Sequence, residues 1–362
     1  MDYVDAIDTD FVQIARLALA GGAPGTQSLL RRIARRYRDS HPDLARDVVQ
    51  ALRESPLRST KTGEVITEPI DADSRLSLIR EENPVILITE PILPSEIYGT
   101  LTQIVAEHKN SEKLLDSGLS PTRTALFVGP PGVGKTLTAR WLARELEVPL
   151  IVLDLTSVMS SFLGRTGVNV RRVLDYAKTS KAILLLDELD AVAKRRDDPT
   201  EIGELKRLVT VLLQEIDTWP EGSLLVAATN HGELLDRAVW RRFEVVVEFP
   251  LPDDDGLIRG INEFLDNELA DSLLLATVAR LYKGTTLSQV EREMMRARRL
   301  SAMTDTDLGK ALMQIVHERL RQMPANERGK IAASIMFETG ASQRQIHELT
   351  GISRDTLRKY SK

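Results

Sequence analysis

Five apolar runs punctuate the middle of the chain: Thr124-Ala-Leu-Phe-Val128, Leu150-Ile-Val-Leu-Asp154, Ala182-Ile-Leu-Leu-Leu-Asp187, Ser223-Leu-Leu-Val-Ala-Ala228 and Val245-Val-Val-Glu-Phe249. Their hydrophobicity is continuous rather than alternating, as strands covered on both faces require. Between them lie stretches with helical spacing, such as Leu137 to Leu146, with Trp141 and Leu142 on one side. Alternation of this kind predicts right-handed βαβ crossovers and a parallel sheet with helices on both sides. A ligand then sits at the carboxyl ends of the strands.

The flanks read differently. Phe11 to Ala20 is amphipathic and stops at Gly21-Gly22, and a second helix from Thr26 to Arg38 carries Arg31, Arg32, Arg35, Arg36 and Arg38. Pro42 opens a third, running towards Leu52. Positions 1–60 hold nine Arg against eight Asp and Glu, so the cluster reads as a solvated helix face rather than a nucleic-acid grip. Residues 1–58 are taken as an N-terminal helical adaptor domain. Residues 59–94 are a linker that packs partly on the core, with one β-like run, Pro84 to Thr89. A helix from Ser95 to His108 precedes the first strand, and 95–250 form the α/β body. Asp253 to Met323 reads as four helices within a 251–323 subdomain. The tail, 324–362, reads as a separate three-helix unit.

Composition narrows the class. The chain has 362 residues, 42 % hydrophobic and 28 % charged, with a net charge of −5 and no cysteine. Disulfide scaffolds, thiol nucleophiles and cysteine-based zinc sites are excluded. The mild acidity gives no global attraction to nucleic acid or membrane, so any basic function is local. No apolar run reaches membrane-spanning length and no secretion signal is visible, so a cytoplasmic protein with no membrane partner is expected.

The chemistry begins where the first apolar run ends. Gly129-Pro130-Pro131-Gly132-Val133-Gly134-Lys135-Thr136 spells G-x-x-x-x-G-K-S/T, the Walker A or P-loop pattern, between a strand and a helix that begins with Leu137. Its glycines let backbone N–H groups turn towards an anion, and the helix N-terminus adds its dipole. Lys135 suits the outer phosphates, and the Thr136 hydroxyl suits Mg²⁺. ATP and Mg²⁺ are the expected ligands. About fifty residues on, Ile183-Leu-Leu-Leu-Asp187-Glu188 ends an apolar strand in two carboxylates. Asp187 suits the metal shell beside Thr136, and Glu188 suits polarising the attacking water, as a Walker B pair. Asn230, after the next strand, suits a hydrogen bond to the γ-phosphate or to that water.

With these motifs in place, the chain resembles an AAA+ ATPase of the AAA clade in the narrow sense, over about Ser95 to Met323. The resemblance implies a P-loop three-layer α/β/α core with a four-helix lid. Asn230 matches the family's sensor-1 residue. Asp236-Arg-Ala-Val-Trp-Arg241-Arg242-Phe-Glu matches the D-x-A-x-x-R-R-F-D/E end of the clade's second region of homology. In the family such arginines reach the γ-phosphate of a neighbouring subunit; the motif leaves open which is the main finger. Ser160 to Ala177 resembles the pore loop and its following helix, with Phe162, Leu163 and Gly164 as the aromatic–aliphatic–Gly triplet facing the channel of a hexameric ring. Arg195 to Thr200 lies where a second pore-facing loop stands. Gly284-Thr-Thr-Leu-Ser288 has no sensor-2 arginine, in keeping with the clade. Ile97-Tyr98-Gly99 lies near the family's adenine-binding segment but matches it poorly.

The tail resembles a helix-turn-helix. Helix Ala325 to Glu338 is followed by Gln343 to Tyr360, with Gly351 at the turn. Ile346, Ile352, Leu357 and Tyr360 stand at core positions, Ser353 at a cap, and His347 where a small residue is usual. Seven Lys and Arg against four Asp and Glu give 324–362 a net +3, which favours phosphate contacts. Ser353, Arg354, Thr356 and Arg358 would be its DNA contacts.

Two functions are therefore expected. One is a homo-oligomeric, hexameric ATPase that remodels a protein substrate, with DNA tethering through the tail. The chain has no protease motif, so any protease is a separate chain. The other is a DNA-binding, ATP-dependent regulator of transcription, a mobile element or a defence response, without unfolding activity.

Overall fold

A computed structural model describes residues 79–155, 166–191, 209–269 and 271–360. The N-terminal helices expected within 1–58, the pore-loop triplet Phe162, Leu163 and Gly164, and the second loop Arg195 to Thr200 lie outside the described residues. The rest divides into two units. One holds 79–91, 97–129 and 135–248; the other holds 92–96, 130–134 and 249–360.

In the first unit the elements run β1 (Arg80–Glu82), α1 (Ser95–Lys109), α2 (Ser111–Asp116), β2 (Thr124–Val128), α3 (Lys135–Glu145), β3 (Leu150–Asp154), α4 (Thr166–Thr179) and β4 (Ile183–Asp187). There follow α5 (209–217), β5 (Leu224–Thr229), α6 (Arg237–Trp240) and β6 (Val245–Glu248). The sheet order is β1-β3-β4-β5-β2-β6. All neighbours are parallel except β1, which runs antiparallel to β3. This is the mixed α/β P-loop architecture that the uninterrupted apolar runs predict. On one sheet face Leu126, Ile151, Leu153, Leu184, Leu186 and Leu225 meet Val170, Val173 and Leu174 of α4 and Leu212 and Ile216 of α5. Their alternate neighbours Phe127, Leu150, Ile183 and Leu185 are equally buried. Burying each such side chain contributes about 1.5–3 kcal/mol, so both faces stabilise the sheet.

The β-like run Pro84 to Thr89 forms no strand; the strand falls instead on charged Arg80-Glu81-Glu82. Those three occupy the open edge of β3 through backbone bonds, which do not depend on apolar side chains. The Arg140 guanidinium binds Glu82 at 2.9 Å and Tyr176 Oη donates to Glu81 at 2.8 Å. Val85 and Leu87 are nevertheless buried, so the segment packs on the core without joining the ladder.

The second unit contains α7 (Asp254–Phe264), α8 (Ser272–Leu281), α9 (Leu287–Thr304) and α10 (Leu308–Gln322), then α11 (Ala325–Thr339), α12 (Gln343–Thr350) and α13 (Arg354–Tyr360). Aspartates start three of the first four helices: Asp253, Asp271 and Asp307 each accept a backbone N–H of the first turn. Leu257, Ile261, Leu274, Val278, Val290 and Ile315 form the core of this helical group. Ala332, Ile335, Ile346 and Leu357 form that of the tail. Leu273 and Ile331 pack against both cores, and Leu349 of α12 belongs to the first, so tail and lid helices are joined by shared apolar contacts.

Local chemistry explains the tail's sharp turns. Ser342 and Gln345 form a reciprocal capping box at the start of α12. Gly351 ends it in the left-handed conformation at φ 70°. Ser353 Oγ accepts from Thr356 N at 3.3 Å. His347 is turned outward, and its Nδ1 lies 2.8 Å from the Ile352 carbonyl, closing the turn.

Candidate active site

Three strand ends and one helix start supply the cluster in the α/β unit. Lys135 opens α3 and is only 7 % exposed. Its ammonium donates to the Gly129 carbonyl at 2.6 Å and to Asn230 Oδ1 at 2.7 Å. Burial pushes its pKa down to about 8, opposed by the carboxylates of Asp187 and Asp190. Thr136 Oγ1 donates to Asp187 Oδ2 at 3.0 Å. Asp187 Oδ1 accepts from the Glu188 N–H, also at 3.0 Å.

Glu188 itself is exposed and stands in the left-handed region, at φ 57°. For a residue with a side chain that conformation costs about 1 kcal/mol or more and persists only where surroundings impose it. Here Leu189 N binds the Ala228 carbonyl at 2.9 Å and Ala191 N binds that of Glu188 at 2.8 Å. Both hold the strand exit. Lys135, Thr136, Asp187 and Asn230, singled out from sequence, are thus brought into one bonded group with Glu188 at its margin.

That group fits a hydrated divalent cation. A hydroxyl and a carboxylate converge, and among the described residues no cluster of three or more His, Cys, Asp or Glu competes for a metal. Mg²⁺ uses few protein ligands together with waters and phosphate oxygens. When bound it neutralises charge on those oxygens. Thr136 and Asp187 are the residues placed to hold it.

The rest of the loop belongs to the helical unit. Gly132 stands at φ 80°, and a Cβ there would lie 3.0 Å from both Ser288 Cβ and Thr286 Oγ1. Ser288 N donates to the Gly132 carbonyl at 3.1 Å, so the loop backbone is seated on the first turn of α9. Within the same unit Ile92, Leu93, Val133, Leu251 and Leu287 line an apolar pocket. Arg259 Nη2 fixes one wall by binding the Leu93 carbonyl at 3.3 Å. Of the segment Ile97-Tyr98-Gly99, Ile97 is buried and Tyr98 packs on Trp141 with ring centroids 5.7 Å apart.

The arginine pair lies on a braced turn. Asp236 accepts from Ala238 N at 2.9 Å. Glu244 is gripped by Arg123 Nε at 2.9 Å and by Arg123 N at 2.8 Å. Arg242 is ion-paired with Asp217 of α5. Arg241 is exposed, and its guanidinium has no ion-pair or hydrogen-bond partner among the described residues. Sequence reasoning missed both Asp217 and Asp190. For Asp190 a signal existed in the Asp187-Glu-Leu-Asp190 run; for Asp217 none did. In the tail, Ser353, Arg354 and Arg358 are exposed and Thr356 is half-buried, with its hydroxyl 2.9 Å from Ser353 Oγ.

Among the described residues no helix is long and apolar enough to cross a membrane. The chain matches the family described as ATPase family associated with various cellular activities (AAA) over residues 125–251. It is 34 % identical over 211 residues to an uncharacterized AAA family ATPase, y4kL, of Sinorhizobium fredii, covering 58 % of this chain and 64 % of that protein. To the ATP-dependent zinc metalloprotease FtsH 1 of a Thermoanaerobacter species it is 29 % identical, over 80 % of this chain and 51 % of that protein. To the proteasome-activating nucleotidase of Saccharolobus solfataricus it is 29 % identical, over 69 % of this chain and 70 % of that protein. The chain spans less than two thirds of the length of the first of these curated relatives, and about half that of the second. The family match begins one residue into β2 and ends just beyond β6, so it takes in the loop, the strand that ends in Asp187 and the arginine turn; over these residues the chain is similar to the AAA ATPases.

Proposed function

We propose that this chain works as a ring, on the family's pattern a hexamer, in which ATP hydrolysed between neighbouring copies drives the remodelling of a protein substrate. The observation that carries the reading is Arg241: an exposed guanidinium on a braced turn, bound to nothing among the described residues of its own chain. In this reading Lys135 and the loop N–H groups bind the phosphates, and Thr136 and Asp187 hold Mg²⁺. Glu188 takes a proton from the attacking water. Asn230 orients that water or the γ-phosphate, and Arg241 of the next copy meets the charge that develops. Relatives named as a proteasome-activating nucleotidase and as an ATP-dependent metalloprotease support a protein substrate.

The test is Glu188→Gln as an ATP-bound trap: it should retain nucleotide, form the oligomer and co-purify with substrate proteins. A Glu188→Gln protein that turns over ATP normally, or never leaves the monomer, defeats the reading. Phe162→Ala should then abolish substrate processing while sparing ATP turnover.

A second reading, DNA tethering through 324–362, is favoured by the exposed Ser353, Arg354 and Arg358 beside the αL turn at Gly351. Arg354→Ala with Arg358→Ala should weaken DNA binding in a gel shift and flatten its salt dependence. If remodelling is never detected while loss of 324–362 abolishes function, the chain is instead an ATP-dependent DNA-bound regulator.

A further inference from the structure

Asp190 lies three residues beyond Asp187, and the chemistry above gives it no task. It is 5 % exposed. A carboxylate buried that deeply costs several kcal/mol unless hydrogen bonds to it compensate, so its persistence points to what it binds. Its Oδ1 accepts from Thr229 Oγ1 at 3.2 Å and from the Asn230 N–H at 3.2 Å. The Thr229 hydroxyl oxygen in turn accepts from His231 N at 3.1 Å. One carboxylate just past the end of β4 therefore ties three consecutive residues at the end of β5.

The chain of bonds continues into the nucleotide loop. Asn230 Oδ1 accepts from Lys135 Nζ at 2.7 Å, and the same ammonium donates to the Gly129 carbonyl at 2.6 Å. Gly129 N closes the circuit by donating to the Thr229 carbonyl at 3.3 Å. Phosphate oxygens are acceptors, so with Oδ1 turned to the ammonium it is the Nδ2 donor of Asn230 that can bond the triphosphate. Turning the Thr229–His231 backbone would swing that donor away.

We propose that Asp190 is a positioning residue for ATP hydrolysis, acting through the Thr229–His231 turn to hold the Asn230 amide against the triphosphate. The inference rests on the role given to Asn230 above, so the experiment tests the two separately. In the full chain, Asp190→Ala should lower kcat about 30-fold or more while ATP affinity, measured by equilibrium binding, stays within about threefold. Asp190→Asn keeps an oxygen acceptor for both bonds and should recover most of kcat. The decisive measurement is the double-mutant cycle: Asp190→Ala added to Asn230→Ala should cost almost nothing further, because the first acts through the second. Thr229→Val, which removes the linking hydroxyl at nearly constant volume, should give a smaller loss that also vanishes in the Asn230→Ala background.

Additive losses in the cycle, or an Asp190→Ala protein with wild-type kcat, overturn the proposal. Should Asp190→Ala fail to fold, the Thr229→Val cycle decides alone. Full turnover in Asn230→Ala by itself overturns the role of Asn230 first, and the inference with it.

Discussion

The strand-end cluster and the arginine turn, both in the α/β unit, solve opposite problems. Around Lys135 the charges turned into the fold are answered from within the chain: the ammonium by Gly129 and Asn230, Asp187 by Thr136 and the Glu188 N–H, Asp190 by Thr229 and the Asn230 N–H. The turn from Asp236 to Glu244 is braced at both ends, yet presents an arginine with no partner among the described residues. A buried polar group left unpaired costs about 1–3 kcal/mol, so the cluster must be self-satisfied. An exposed guanidinium carries no such penalty and can wait for a neighbour. On the proposed ring, the contrast separates chemistry held within one copy from chemistry that a neighbour completes.

The sharpest way to break that contrast is to compare one residue from each side. Glu188→Gln should reduce steady-state phosphate release by about 10³-fold or more, with ATP still bound. Arg241→Ala should lose about 10²–10³-fold in kcat, also with ATP bound, and mixing it with Lys135→Ala copies should restore part of the turnover. Arg242→Ala, whose side chain is already engaged by Asp217, should lose no more than about tenfold. Equal losses for the two arginines would erase the distinction drawn between them.

A smaller effect sharpens the self-sufficient side. Lys135 titrates near pH 8 rather than at its ordinary value of 10.5, because burial disfavours the ammonium. Phosphate binding favours the ammonium, so ATP affinity should fall as pH rises from 7 to 9, by about tenfold at most. Stability moves the other way. Between pH 8 and 10.5 the unfolded chain binds more protons at this residue than the folded one, so its contribution to stability rises with pH in that window. Isothermal titration and thermal melts at matched pH should therefore show opposite slopes, and Lys135→Met should flatten both.

The smallest expected effect tests the brace. Arg123→Ala removes the grip on Glu244, a pair about a third exposed, and should cost about 0.5–1 kcal/mol in chemical denaturation. If the turn matters only through the position of Arg241, kcat should drop a few-fold while ATP affinity holds.

Much of this was legible in the chain. Each strand of the parallel sheet falls within a residue of its apolar run, because burial on both faces leaves a local signature that needs no partner to be read. The phosphate loop and the Asp187-Glu188 pair were equally plain, since their function demands fixed residue types at fixed spacing. The signal failed where backbone pairing or distant partners decide. Strand β1 sits on charged residues because the edge of β3 wanted hydrogen bonds, not side chains. The apolar pocket beside Leu287 joins residues more than a hundred positions apart, and no motif announces it.

What the amino-acid order determined by itself was therefore the strands of the parallel sheet, the order of the nucleotide-handling residues and the family they resemble. Only the tertiary structure decided which arginine is ion-paired and which has no partner among the described residues, and that Asp190 rather than solvent anchors the turn carrying Asn230. The reason is physical: propensity and periodicity act over a few residues, whereas ion pairs and buried hydrogen bonds are chosen among whatever groups the packed fold brings within about 3 Å.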